Sequence, residues 1–130
     1  MRLVPLLALC ACAMPQPPKG SAGPAEAVQD LATALEKGDT ATAWSLLSTR
    51  AQEAADAIAA RARAAAGDAG PESGRSMLFA SALPGGAVEV RVLSQGGDSA
   101  EVRAVSDAGS RVYRVVREGG RWRIDLDLPH

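Results

Sequence analysis

The stretch VYRVVREGGRWRID, residues 112–125, carries the clearest folding signal in the chain. Apolar and charged residues alternate on both sides of Gly119-Gly120, which is the pattern of two half-buried strands joined by a two-residue turn. The turn places Val115 opposite Ile124. Because a slip of one residue would move every apolar side chain to the other face, the pattern also specifies the register of this hairpin.

The same alternation begins near residue 87 and continues to the end of this hairpin. We interpret Ala108-Gly109 as a second two-residue turn and Gln95-Gly96-Gly97 as a three-residue loop. Four antiparallel strands are therefore predicted, at about 87–94, 98–106, 110–118 and 121–127.

These turns predict one apolar and one charged face for the sheet. The apolar face has two rows, which read Val90, Val102, Val115, Ile124 and Val88, Ala104, Tyr113, Leu126. The charged face reads Glu89, Arg103, Arg114, Asp125, with Arg91 beside Glu101 and Glu118 beside Arg121. Most arginines thus face a carboxylate, in pairs that contribute roughly 0.2–1 kcal/mol each. With a net charge of −1, nucleic acid is not an expected partner.

Helical periodicity comes before the strands. Pro24 suits the first turn of a helix, and Gly38 stands where its C-terminal cap is expected. A second short helix, ATAWSLL at residues 41–47, follows a cap at Asp39 or Thr40.

A third helix is predicted from Thr49-Arg50-Ala51-Gln52, which has the form of a capping box, to about Ala66. Its inward stripe is expected to consist of Ala51, Ala55, Ile58, Ala62 and Ala65. Residues 67–76 are predicted to form a loop. The periodicity of MLFASAL, 77–83, assigns it to neither helix nor strand.

The opening segment MRLVPLLALCACAMPQPPKG contains both cysteines of the chain. Arg2, the apolar run 3–9 and the small residues after it have the layout of an export signal. The apolar run is far shorter than the ~20 residues needed to span a bilayer, so no permanent transmembrane helix is predicted here.

Leu9-Cys10-Ala11-Cys12 resembles a bacterial lipobox, with Cys12 as the acylated residue and Ala11 before it. Cys10 is a poorer site because the bulky Leu9 precedes it. A disulfide between the two thiols would be cramped, and the single histidine, His130, leaves too few ligands for a metal. Cys12 is the predicted lipidation site, and an ordinary cleaved signal is the alternative.

This interpretation divides the chain into three parts: a signal peptide (1–11), the lipidated cysteine with a Pro/Gly-rich tether (12–24), and a folded domain (25–130). A Pro-rich tether extends about 3.1 Å per residue and would hold the domain roughly 30–40 Å from the membrane. Ala13, rather than Asp, after the cysteine resembles lipoproteins sent to the outer membrane of Gram-negative bacteria. The expected location is therefore the outer membrane, facing the periplasm.

AVQDLATALEKGDTATAWSLLS, residues 27–48, together with 112–125 resembles the NTF2-like superfamily, also called SnoaL-like or cystatin-like. The resemblance implies an α+β cone, in which three N-terminal helices pack on the concave side of a curved antiparallel sheet of four or more strands. It also implies that a homodimer can form through the outer faces of two sheets.

Catalytic members of that superfamily place Asp, His and Tyr inside the cone. The predicted apolar rows contain no carboxylate, and both thiols lie in the leader, so no catalytic residue, metal or cofactor is assigned. The expected function is that of a non-catalytic, membrane-tethered lipoprotein that binds a small apolar ligand or an envelope protein. The alternative is a SnoaL-like isomerase or dehydratase that uses Tyr113 and a carboxylate outside this register.

A shallow cavity is the predicted binding site. Tyr113 and Arg117 are the strongly polar residues of the apolar face, Trp122 neighbours Arg117, and Trp44 and Leu47 would close the helical side. Such a cavity would take a small apolar ligand with one acidic or carbonyl group. In the alternative, Arg117 lays its stem over Trp122 and its head reaches water, while the Tyr113 hydroxyl also points to solvent.

Overall fold

A computed structural model of the chain describes residues 20–80 and 88–128. Helices come first and a four-stranded antiparallel sheet follows, so the predicted α+β class is confirmed. The elements are α1 (Pro24–Lys37), α2 (Thr40–Ser45), α3 (Thr49–Ala66), a 3-10 turn (Gly67–Ala69), α4 (Gly74–Ala80), β1 (Glu89–Gln95), β2 (Ser99–Ser106), β3 (Gly109–Glu118) and β4 (Arg121–Ile124). The strand order is β1-β2-β3-β4, and the sheet is neither closed nor strongly curled.

Local signals set both ends of α1 and the cap of α2 as predicted, whereas α2 ends at Ser45 rather than at the predicted Leu47. α1 begins at Pro24 and ends at Lys37, and its cap Gly38 has a φ of 70°, the left-handed conformation that glycine adopts without strain. Asp39 then caps α2, because its carboxylate accepts a hydrogen bond from the Thr42 N–H at 3.1 Å.

The start of α3 differs from the prediction. Its N-cap is Ser48, whose hydroxyl accepts a 3.1 Å hydrogen bond from the Ala51 N–H. Ser48 has the extended backbone of a cap, whereas Thr49 is already helical. The predicted capping box is therefore wrong, and the Gln52 side chain donates to the Trp44 carbonyl at 2.8 Å instead.

The buried stripe of α3 is also shorter than predicted. Ala51 and Ala55 are buried as expected, but Ala59 is buried where Ile58 is only half-buried, and Ala65 is exposed. The main partner of this helix is α4 rather than the sheet, so its C-terminal half has no broad apolar surface to cover.

The predicted loop 67–76 and the unassigned segment 77–83 contain a fourth helix, one more than the three predicted. Ser73 and Ser76 exchange hydrogen bonds at the start of α4, each hydroxyl accepting from the other residue's N–H at 3.1 Å. This reciprocal cap explains why the apolar run 77–80 continues a helix. Residues 81–83 lie outside the described residues.

α4 approaches the backbone of α3 at Gly74. The Gly74 N–H donates to Asp56 Oδ1 at 2.9 Å, and a Cβ built at Gly74 would lie 2.5 Å from the Asp56 backbone nitrogen. The alanines of α3 make this approach possible, and a side chain at Gly74 would prevent it.

The β3–β4 hairpin confirms the predicted register. Val115 lies opposite Ile124 and Arg117 opposite Trp122. Gly119 and Gly120, which form the turn, have φ of 60° and 79°. Positive φ at both turn residues is the requirement of the type I′ turn that matches the twist of a hairpin.

The β2–β3 hairpin is displaced by two residues from its prediction. Val102 lies opposite Tyr113 rather than Val115, because the turn residues are Asp107 and Ala108. Since the displacement is an even number, the apolar face keeps its members while their neighbours change.

The β1–β2 register is also wrong in the prediction, again by two residues. Val90 lies opposite Ala104 instead of Val102, and Arg91 lies opposite Arg103 instead of Glu101. Next to the turn, where Ser94 lies opposite Glu101, the displacement is three residues, and a β-bulge at residues 92–94, which the alternation does not predict, reduces it to two.

The core lies between α1 and the sheet, because α1 contacts all four strands. Segment 46–47 and β4 complete it. Its buried members are Ala27, Val28, Leu31, Ala34, Ala43, Leu46, Leu47, Ala51, Ala100, Val102, Ala104, Val115, Trp122, Ile124 and Leu126.

The outer edge of β4 is covered by two segments of backbone. Ser21 pairs with Trp122 through two N–H···O bonds of 2.9 and 2.8 Å. Further along the strand, the Ile124 N–H donates to the Leu46 carbonyl at 2.7 Å and the Ser48 N–H donates to the Ile124 carbonyl at 2.8 Å. Ser21, which belongs to the predicted tether, is thus joined to the sheet.

Replacing Gly74 with alanine tests the contact between α3 and α4. We expect Gly74→Ala to lower the free energy of unfolding by about 1–3 kcal/mol, because the helices must separate to admit the methyl group. Gly97→Ala is the matched control, since a Cβ there meets no atom within 4 Å. Urea unfolding measures both, and equal stabilities would contradict the close approach.

Candidate functional site

The structure places two residues of the predicted cavity in the core. Leu47 is 0% and Trp122 2% exposed, and Leu47 forms a bridge with Ile124 of β4. Trp44 is half-buried and packs against the same core. These three residues therefore pack in or against the core, and the cavity beside them stays a prediction.

The polar residues of the predicted cavity are separated along β3. The Arg117 guanidinium carbon lies 5.3 Å from the centre of the Trp122 ring, and that of Arg111 lies 5.2 Å from the centre of the Tyr113 ring. Tyr113 and Arg117 share one face but are about 13 Å apart along the strand. The arginine heads thus cover aromatic rings at the rim of the apolar face.

A separate polar cluster lies on the other face of the sheet, around Asp125, which the sequence alternation placed on a charged, solvated face. Asp125 is 6% exposed. Its oxygens accept hydrogen bonds from Ser48 Oγ at 2.7 Å, from Arg50 Nε at 3.1 Å and from Arg50 Nη2 at 3.0 Å. Arg114 Nε lies 3.8 Å away, which confirms the predicted proximity of Arg114 and Asp125.

A second ion pair lies beside the first. Arg123 is 7% exposed, donates to Glu118 Oε1 at 2.8 Å and donates through Nε to the Ser45 carbonyl at 3.1 Å. The same Glu118 carboxylate accepts hydrogen bonds from the N–H and the hydroxyl of Thr49, the first residue of α3. A carboxylate at a helix N-terminus is stabilised by the unpaired N–H groups there.

The ionisation of Asp125 follows from these contacts. Burial by itself would raise the pKa of Asp125, but the hydrogen bonds from Arg50 and Ser48 and the charges of Arg50 and Arg114 outweigh it and lower the pKa below its usual range. The carboxylate is therefore ionised at neutral pH and accepts hydrogen bonds, and it is not suited to donate a proton as a general acid.

These side chains line an open depression of about 600 Å³ on the sheet face away from α1. Its walls come from Arg50, Arg114, Val116, Glu118, Asp125 and Asp127. The Asp125 carboxylate already neutralises the nearest guanidinium groups, those of Arg50 and Arg114. The Glu118 carboxylate accepts hydrogen bonds from Thr49 at the start of α3. The cluster therefore joins the start of α3 to the end of β4, through hydrogen bonds from Ser48 and Arg50 to Asp125.

Sequence reasoning missed this cluster because Asp125 was assigned by alternation alone. The alternation correctly placed Asp125 on the face opposite Ile124, but segment 45–50 folds over that end of the strand and buries it. A signal was present in Ser48-Thr49-Arg50, a helix cap followed by a cation, although its partner is 77 residues away.

Within residues 20–80 and 88–128, no three His, Cys, Asp or Glu side chains come together as a metal site would require. In the same part of the chain, no helix combines the length and apolarity needed to cross a bilayer. Cys10, Cys12 and His130 lie outside the described residues.

The chain matches no family model, no curated protein and no solved structure. The class that the fold defines is therefore an α+β domain with N-terminal helices packed on one face of a four-stranded antiparallel sheet.

The buried carboxylate gives a pH-dependent prediction. Because the folded-state pKa of Asp125 lies below the unfolded value of about 3.9, its stabilisation is complete above that pH. It is lost as the pH falls through the folded-state pKa. We expect Asp125→Asn to lower the free energy of unfolding at pH 7 by about 1–3 kcal/mol, and the difference from wild type to shrink in acid.

Asp68→Asn is the control, because Asp68 is exposed in the 3-10 turn. Denaturant unfolding between pH 3 and pH 7 measures both variants. A loss of stability in Asp125→Asn that does not change with pH would show that packing, and not charge, accounts for it.

Proposed function

We propose that this chain is a membrane-tethered, non-catalytic lipoprotein of the bacterial cell envelope, whose domain binds a small ligand or a protein partner. The observation that carries the proposal is the leader, in which a short apolar run ends at Leu9-Cys10-Ala11-Cys12 ahead of a Pro- and Gly-rich segment. Acyl chains on Cys12 would hold the domain at the membrane, since each buried CH₂ contributes ~0.8 kcal/mol.

The place where the chain enters the domain is consistent with such an anchor. The Gly20 carbonyl accepts a 3.0 Å hydrogen bond from Arg121 Nη2, and Ser21 pairs with β4. An extended connection from Cys12 to Gly20 would be roughly 25 Å long.

The distribution of charged groups favours binding over catalysis. In the described strands, Tyr113, Arg111 and Arg117 give the face toward α1 its polar character, and they offer hydrogen bonds and positive charge. The carboxylates nearest the core, Asp125 and Glu118, are held by α3 and its cap. A base free to accept a proton from a substrate is what the isomerase or dehydratase alternative would need.

We also propose membership of the NTF2-like superfamily. The order of helices followed by antiparallel hairpins, with α1 across the sheet, supports this proposal. The superfamily resemblance also implies a sheet curved into a cone, whereas the sheet described above is neither closed nor strongly curled.

Replacing each leader cysteine tests the anchor. We expect Cys12→Ser to move the protein from the membrane to the soluble fraction, because the acylated residue is removed, while Cys10→Ser stays membrane-bound. Fractionation with blotting measures the distribution, and mass spectrometry identifies the modification. An unmodified Cys12 in the mature protein would overturn the proposal.

A ligand titration distinguishes the two kinds of partner. If a carboxylate-bearing lipid binds beside Trp122, tryptophan fluorescence should change on titration with a fatty acid. Arg117→Ala should weaken that response about tenfold, since hydrogen bonds to charged groups contribute about 1.5–3 kcal/mol. Arg61→Ala is the control, because Arg61 is exposed on α3, outside the predicted site. A flat response in the wild type excludes the ligand and leaves a protein partner.

A further inference from the structure

The two edges of the sheet differ in how they are covered. The edge of β4 is bonded to Ser21 and to segment 46–48, whereas in the described part of the chain no segment pairs with the outer edge of β1. An uncovered strand edge presents N–H and C=O groups to any strand that fits them. Val92 and Leu93 of this strand are 38% and 42% exposed.

β1 also carries a charge arrangement that is unfavourable in a single copy. Arg91 lies directly opposite Arg103 on the exposed face, and like charges across a ladder destabilise a sheet. Within the described residues, neither arginine forms a salt bridge. Glu101, the partner that the alternation assigned to Arg91, lies opposite Ser94 and accepts a 3.3 Å hydrogen bond from its hydroxyl.

We propose that β1 pairs antiparallel with β1 of a second copy of this chain, about a two-fold axis at Val90. This register places Glu89 of each copy opposite Arg91 of the other, so each pair of facing arginines gains a carboxylate neighbour. The two contacts are equivalent by symmetry, as in a closed two-fold dimer. The two sheets would form one continuous eight-stranded sheet.

The same register matches the apolar side chains. Val90 lies opposite Val90 of the second copy, and Val88 opposite Val92, so the exposed Val92 gains an apolar neighbour. The pairing covers residues 88–92 and ends where the bulge between Val92 and Ser94 begins, because the bulge bends the strand and interrupts further pairing. Centring on Arg91 instead would set two arginines opposite each other, which disfavours that register.

Charge reversal tests this register. Glu89→Arg and Arg91→Glu each place like charges opposite one another at both symmetric contacts, while the double variant restores opposite charges. We expect each single reversal to weaken self-association at least about tenfold and the double variant to recover it. Glu72→Arg and Arg61→Glu, at exposed positions outside the sheet, are controls with the same changes in net charge.

Sedimentation equilibrium of the full chain in density-matched non-ionic detergent measures the association, and circular dichroism checks that each variant is folded. A wild-type chain that is monomeric at all concentrations overturns the proposal. So does a dimer that both single reversals leave unchanged, since that dimer uses another surface. Membrane attachment through Cys12 is independent of either result.

Discussion

Ser48 joins the helices to the sheet through three of its atoms. Its N–H donates to the Ile124 carbonyl, its hydroxyl oxygen accepts from the Ala51 N–H, and its hydroxyl hydrogen is donated to Asp125. One residue therefore covers the edge of β4, starts α3 and supplies a partner to a buried carboxylate. Leaving a buried backbone group unpaired costs about 1–3 kcal/mol, whereas Asp125 also accepts hydrogen bonds from Arg50.

This arrangement makes the two edges of the sheet unequal. The segment before α1 and the segment after α2 both pair with β4, so that edge is closed to any further strand. β1 is at the opposite end of the strand order, where its bulge and its charged residues Glu89 and Arg91 restrict which strands can pair with it. Among the described residues, the fold thus leaves one edge open to a further strand, and the charge pattern of that edge is complementary to itself.

Alternation predicted the faces of the sheet better than the neighbours on them. The type I′ turn at Gly119-Gly120 set the β3–β4 register because both residues adopt positive φ. The β2–β3 register is displaced by two residues because its turn is Asp107-Ala108, and the β1–β2 register by two because a turn displaced by three residues is followed by a one-residue bulge. An even displacement keeps side chains on their faces, so the apolar face kept its members while their neighbours across β1–β2 and β2–β3 changed.

The sequence by itself determined the α+β class, the caps at Gly38 and Asp39 and the β3–β4 hairpin, because each depends on residues within a few positions of one another. Tertiary structure alone decided the burial of Asp125 and Arg123, which the alternation had assigned to solvent. The segment that covers both of them, 45–50, is more than seventy residues away in the chain. Which distant segment covers a strand edge depends on how the helices pack over the sheet, and no local pattern contains that information.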